Sequence, residues 1–157
     1  MEVSLDSADR NLLNVVQDDA RLSFREIARR VGMSTPAVAD RIRKLEAAGV
    51  ITGYTARVAR PAVGRGIEAF LRLTVPDQDF RRVTSLSESL DSVIECHHVI
   101  GEDSFLIRVA VGSVADLEDV VSRFRKIGPV RSSLVLSSPV DGKPVRAPFL
   151  TKRTNTR

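Results

Sequence analysis

One cysteine, one tyrosine, two histidines and no tryptophan are spread through 157 residues, and each scarcity excludes a class of protein. The lone Cys96 can close no disulfide within the chain; it fits a reducing compartment and reads as a small buried apolar residue. His97 and His98 are adjacent, which leaves a catalytic triad little material. Strand neighbours point to opposite faces, so at most Cys96 and His98 share one, too few ligands for a metal. With aromatic residues at 4%, a base-stacking RNA-binding sheet has almost nothing to stack with. No apolar run approaches the ~20 residues of a membrane span, and no charged, apolar, small-residue leader opens the chain. These absences predict a cytoplasmic protein with no membrane partner, no metal, no cofactor and no catalytic residue.

An apolar fraction of 43% is enough for real cores. The net charge of +4 is modest, and its distribution says more than its size. Between residues 21 and 60 stand nine basic residues (Arg21, Arg25, Arg29, Arg30, Arg41, Arg43, Lys44, Arg57 and Arg60) against three acidic ones. Residues 1–20 and 61–140 are on balance acidic, and the stretch from 141 on is basic again. A basic amino-terminal module with a separate second domain is the footprint of a nucleic-acid binder.

Apolar spacing divides the first fifty residues into three helices. Leu5, Leu12, Leu13 and Val16 lie on one face of the first, with Asp6 and Asp9 in its opening turn. The second runs from about Ser23 to Val31, with Phe24, Ile27, Ala28 and Val31 inward and Ser23 and Glu26 as a capping box; Gly32 ends it. The third starts at Ser34 or Thr35, tolerates Pro36 in its first turn, and buries Val38, Ile42 and Leu45. From residue 50 the period changes to two, which predicts a strand or a short two-stranded wing. After a linker follow a strand from 67, a helix after Pro76, strands from 93 and 104, a helix over 113–127 and a strand over 130–138. That βαββαβ order predicts a ferredoxin-like antiparallel sheet with both helices on one face. The fold class is therefore α+β, with a winged helix-turn-helix at 1–60, a linker at 61–66, the βαββαβ domain at 67–140 and a basic, flexible tail at 141–157.

Two helices joined by Gly32-Met33-Ser34, the second basic away from its apolar seam, form the pattern of a helix-turn-helix. Turns of 100° place Ala37, Asp40, Arg41 and Lys44 on the outer flank and Arg43 beside it. On this reading Arg41 contacts guanine, Ser34 and Thr35 reach phosphates or bases, and Arg43 and Lys44 hold the DNA backbone. An ordinary solvated helix with an Asp40–Lys44 pair is the bland alternative, but it leaves the turn chemistry and the basic segment unexplained.

The stretch LDSADRNLLNVVQDDARLSFREIARRVGMSTPAVADRIRKLEAAGVITGYTARV resembles the amino-terminal half of the leucine-responsive regulatory protein / AsnC family of transcription regulators, and ECHHVIGEDSFLIRV is similar to a stretch of that family's effector domain. The resemblance implies binding to double-stranded DNA, self-association as dimers that build tetramers or octamers, and an amino-acid or related effector held between effector domains. Gly101, Glu102, Asp103, Ser104 and Phe105 then become candidate effector residues, with Ser132 and Ser133 on the last strand. The same turn has a plain role between two antiparallel strands. It departs from the family's G-D-x-D-Y/F pattern in carrying Ser104 at the second acidic position, where it supplies no anion for an ammonium group. Siroheme decarboxylases resemble the same two-part architecture and make an enzyme the rival reading; the retained basic face of residues 32–48 argues against it. GRGIEA at 64–69 matches a dinucleotide fingerprint, but a period-two run follows it rather than a helix.

Overall fold

The computed structural model describes residues 4–146. The chain divides into two units, one comprising the stretch up to Ala56 together with the segment from Val140 on, the other Arg57–Pro139.

In the first unit every helix start is fixed by a side-chain cap. Asp6 accepts the Asp9 amide at 2.7 Å and Asp9 accepts the Asp6 amide at 3.1 Å, opening α1 (Ser7–Asp18). Ser23 and Glu26 exchange bonds in the same way at α2 (Phe24–Val31). Gly32 ends α2 in the left-handed conformation, φ 70°, which a side chain would disfavour. Ser34 caps α3 (Thr35–Ala47), with Pro36 in the first turn. Leu12, Leu13, Val16, Ile27, Ala28, Val38, Ile42 and Leu45 close over one core, as the apolar spacing predicts, except that Phe24, expected inward, stands at the first position of α2 and is 44% exposed.

The segment after α3 differs from expectation. Residues 52–59 form no strand and no wing. Alternating β-branched residues favour an extended backbone, but a strand also needs a neighbouring edge to exchange hydrogen bonds with. No described segment pairs with this one.

The second unit is a four-stranded antiparallel sheet in the order β2-β3-β1-β4. Its strands are β1 (Ile67–Leu73), β2 (Val93–His98), β3 (Phe105–Val111) and β4 (Val130–Leu134), with α4 (Phe80–Ser89) and α5 (Val114–Arg125) in the crossovers. The last strand is shorter than expected and ends four residues earlier. Ala69, Leu71 and Leu73 of β1 and Phe105, Ile107 and Val109 of β3 pack with Val83 of α4 and Val120, Val121 and Phe124 of α5 in one core. Both helices thus cover one face. The opposite face carries Glu68, Phe70, Arg72, Leu106 and Arg108, alternate residues of the same strands. There Arg108 bridges Glu68 at 2.7 Å and Glu95 at 3.1 Å, and Arg60 meets Glu68 at 2.8 Å. Burial works against the Arg108 charge, but the two carboxylates outweigh it and raise its pKa.

Beyond Pro139 the chain returns to the first unit, where Gln17 Nε2 donates to the Val145 carbonyl at 3.0 Å and Arg146 meets Asp18. The flexibility expected of the tail concerns in part residues 147–157, which lie outside the described residues. Among the described residues no helix is long and apolar enough to cross a membrane.

Candidate functional site

The turn after α2 and the cap on α3 set the first candidate site. Ser34 is exposed, but its Oγ already accepts the Ala37 amide at 3.4 Å, so its direct task is to hold the helix start. Thr35 is exposed in the first turn. The other candidates separate into two groups. Ala37, Asp40, Arg41 and Lys44 line a cleft of about 400 Å³ together with Ser4, Leu5 and Asp9 from the start of α1 and the stretch before it. Arg43 lies outside that cleft, exposed, with its Nε donating to the Ala39 carbonyl at 3.2 Å along its own helix.

Arg41 departs from the base contact expected of it. Its Nη1 donates to Asp6 at 2.7 Å and to Asp9 at 2.6 Å, the two carboxylates of the α1 capping box. Those carboxylates raise the Arg41 pKa. Asp6 in turn is held below the ordinary carboxylate range, first by the Asp9 amide and then by Arg41. In this arrangement Arg41 ties α3 to α1 and is not presented to a base. A helical wheel shows which flank a residue occupies, but not that a neighbouring helix begins beside it. Lys44 pairs with Asp40 at 2.8 Å, the intrahelical pair that the bland alternative required, and lowers the Asp40 pKa.

Arg29 and Arg30 of α2 are exposed in its last turn. In the sequence they belong to the basic segment without a motif of their own. Their signal is their position on the first helix of the motif, which crosses the DNA backbone while the second enters the groove.

The second candidate site is the turn between β2 and β3. Gly101 and Glu102 are exposed, and the Glu102 side chain is 91% accessible. Asp103 binds Arg131 Nη2 at 2.7 Å. Ser104 is fully engaged: its Oγ donates to the Val75 carbonyl at 3.0 Å and accepts the Val75 amide at 3.1 Å. It stitches the turn to the end of β1. Phe105 is 2% exposed and packs edge-on to Phe80 at 5.1 Å, so it supports the turn from within the core and offers no exposed surface. Ser132 pairs across with Leu71 and Ser133 with Phe70. Cross-strand partners share a face, so the two serines lie on opposite faces of the sheet and cannot line one cleft together. Arg131, which the sequence reading passed over, is the residue of β4 that reaches the turn. Its pKa is raised by Asp103, and Glu102 lies 3.9 Å away.

Residues 5–52 match the family model of winged helix-turn-helix DNA-binding domains, and residues 68–145 match that of the Lrp/AsnC ligand binding domain. The HTH-type transcriptional regulator LrpA of Mycobacterium tuberculosis is 37% identical over 142 residues, spanning 88% of this chain and 94% of its own length. LrpC of Bacillus subtilis is 29% identical, over 90% of this chain and 97% of its own. Among solved structures, a feast or famine regulatory protein from M. tuberculosis complexed with L-methionine superposes with a TM-score of 0.85 at 33% identity, covering 92% of this chain and 100% of that one. The structure of B. subtilis LrpC gives 0.84 at 27% identity, over 90% and 100%. With a capped helix-turn-helix in one unit, the βαββαβ sheet in the other and likeness along both, the chain belongs to the Lrp/AsnC family of DNA-binding transcription regulators.

Proposed function

We propose that the chain regulates transcription as a homodimer that sets two copies of α3 into successive major grooves, ~34 Å apart, and that an amino acid bound at the β2–β3 turn modulates it. The observation that carries the DNA reading is the exposed cationic rim of the helix-turn-helix. Arg43 on α3 and Arg29 and Arg30 on α2 stand on either side of a turn that ends in a capped helix start. Arg43 keeps the phosphate role expected of it and is also the cation of α3 that can reach a base edge in place of Arg41, the α2 arginines hold the backbone, and Thr35 with the free amides of the first turn meets a phosphate. The same rim supports a regulator over an enzyme on this architecture, since catalysis has no use for it.

The effector reading rests on charge. Glu102 and Arg131 place an accessible carboxylate and a guanidinium at one turn, the pair that a zwitterion's ammonium and carboxylate require. The relative complexed with L-methionine supports this class of ligand. Dimers and their further assembly are supported by the helix-free sheet face, where the half-buried Phe70 and Leu106 lie beside the Arg108 network.

Fluorescence anisotropy with a duplex from the DNA upstream of its own coding region, over a KCl series and with each amino acid in turn, tests both parts. The reading expects affinity that falls steeply with salt and a binding curve displaced by at least one amino acid, with Glu102→Gln and Arg131→Ala abolishing the displacement. Binding unmoved by any amino acid would remove the effector, and no binding even to random DNA at low salt would remove the regulator.

A further inference from the structure

The first unit contains an apolar cleft whose lining includes none of the residues proposed above for DNA or effector. It holds about 500 Å³ and is lined by Leu13 and Val16 of α1, by Val50, Ile51 and Tyr54 of the segment that follows α3, and by Val145 and Arg146. The last described residues are fastened there. Arg146 Nη1 donates to the Asn14 carbonyl at 3.1 Å, its Nη2 meets the Asp18 carboxylate, and Gln17 Nε2 donates to the Val145 carbonyl at 3.0 Å. Asn14 also keeps a buried side-chain Oδ1 with no hydrogen-bond donor among the described residues. The sequence continues Ala147-Pro148-Phe149-Leu150, residues that lie outside the described ones and have the apolar character such a lining accepts.

We propose that this cleft is the docking surface for the chain's own carboxy-terminal segment, with Arg146 as the anchor and Phe149 and Leu150 as the apolar plug. Three features of this chain commit the cleft to that occupant. The last described residues line the cleft, the anchor is charge-matched to Asp18, and the apolar pair begins three residues after it. Docked there, the segment clamps α1 to the stretch that leaves the recognition helix.

Tyr54 reports on the cleft directly, because it lines it and the chain has one tyrosine and no tryptophan. Acrylamide quenching of its fluorescence is measured in the full-length protein, in a truncation after Arg146, in the full-length double variant Phe149→Ser/Leu150→Ser and in Arg146→Glu, each at two protein concentrations. The proposal expects about a twofold higher quenching constant in all three altered proteins at both concentrations, and a return toward the full-length value when a peptide of residues 140–157 is added to a truncation after Pro139. The full-length double variant keeps the test open if a truncation misfolds, which circular dichroism reports. Equal quenching throughout would overturn the proposal. So would protection of Tyr54 in the truncated protein at the higher concentration only, which would assign the cleft to a second copy of the chain.

Discussion

Arg41 and Arg43 are two positions apart on α3 and meet different surroundings. One is held by two carboxylates of α1; the other lies free of them along its own helix. Replacing Arg41 by alanine should therefore lower the thermal midpoint by circular dichroism as well as weaken DNA binding, because it releases α3 from α1. Arg43→Ala should leave the midpoint unchanged and reduce the slope of log affinity against log salt by about 1, the loss of one phosphate contact. Identical behaviour of the two variants in the paired melting and titration experiments would refute the division of roles.

Two titrations test the local electrostatics at the same scale. Asp6 has a folded pKa below its ordinary value, so its contribution is present at neutral pH and is lost as pH falls through that depressed value, below about 4. The difference in thermal midpoint between the wild type and Asp6→Asn should accordingly shrink as pH is lowered through that range. Tyr54 is displaced the other way. Partial burial, then its hydrogen bond to Glu46 at 2.9 Å, raises the phenol. Its contribution is present below the ordinary value of about 10 and is lost as pH rises through the folded one. Because there is a single tyrosine, absorbance at alkaline pH should show one transition above the ordinary value, moving down in Glu46→Gln; an unchanged transition in that variant would refute the assigned cause.

At the scale of elements, the parts legible in the sequence are those whose cause is local. The capping boxes at Asp6/Asp9 and Ser23/Glu26, the Ser34 cap and Gly32 all act within one turn, so helix starts and stops are read directly from residue type. The strand expected after α3 failed because a ladder depends on a neighbour that residue type does not report. The misplacement of Ser132 and Ser133 is of another kind. Adjacent strand residues always face opposite ways, so the period of two already separated them, just as it aligned Phe105 with the core-facing Ile107 and Val109. What the sequence withheld was tertiary: that α1 begins beside Arg41, and that Arg131 reaches Asp103 from another strand. Close approach gives the element-scale prediction. A Cβ on Gly128 would stand 2.6 Å from the Thr74 carbonyl oxygen and 2.7 Å from Val75 Cγ1, a collision with backbone that no rotamer relieves. Gly128→Ala should cost about 2 kcal/mol or more in urea unfolding. Gly32→Ala, strained in φ but open in space, should cost about 1 kcal/mol. The reverse order would refute this account of the α5–β4 junction.

For the whole molecule, the division of labour follows from which unit carries which chemistry. Cations stand exposed on the helix-turn-helix, while on the sheet unit Arg108 is paired with Glu68 and Glu95 and the β2–β3 turn brings accessible groups of both signs together. The charge asymmetry that first separated the two halves is thus also the functional asymmetry. The central claim is that α3 reads a specific duplex from the major groove, two copies at a time. Selection of a duplex from a random pool followed by hydroxyl-radical footprinting tests it most directly. The account predicts an enriched, imperfectly palindromic site with two protected windows whose centres lie about 10 base pairs apart or a multiple of that, and loss of the footprint in Arg43→Ala at moderate salt. Enrichment of no sequence, or protection that is equally strong on a scrambled duplex, would contradict it.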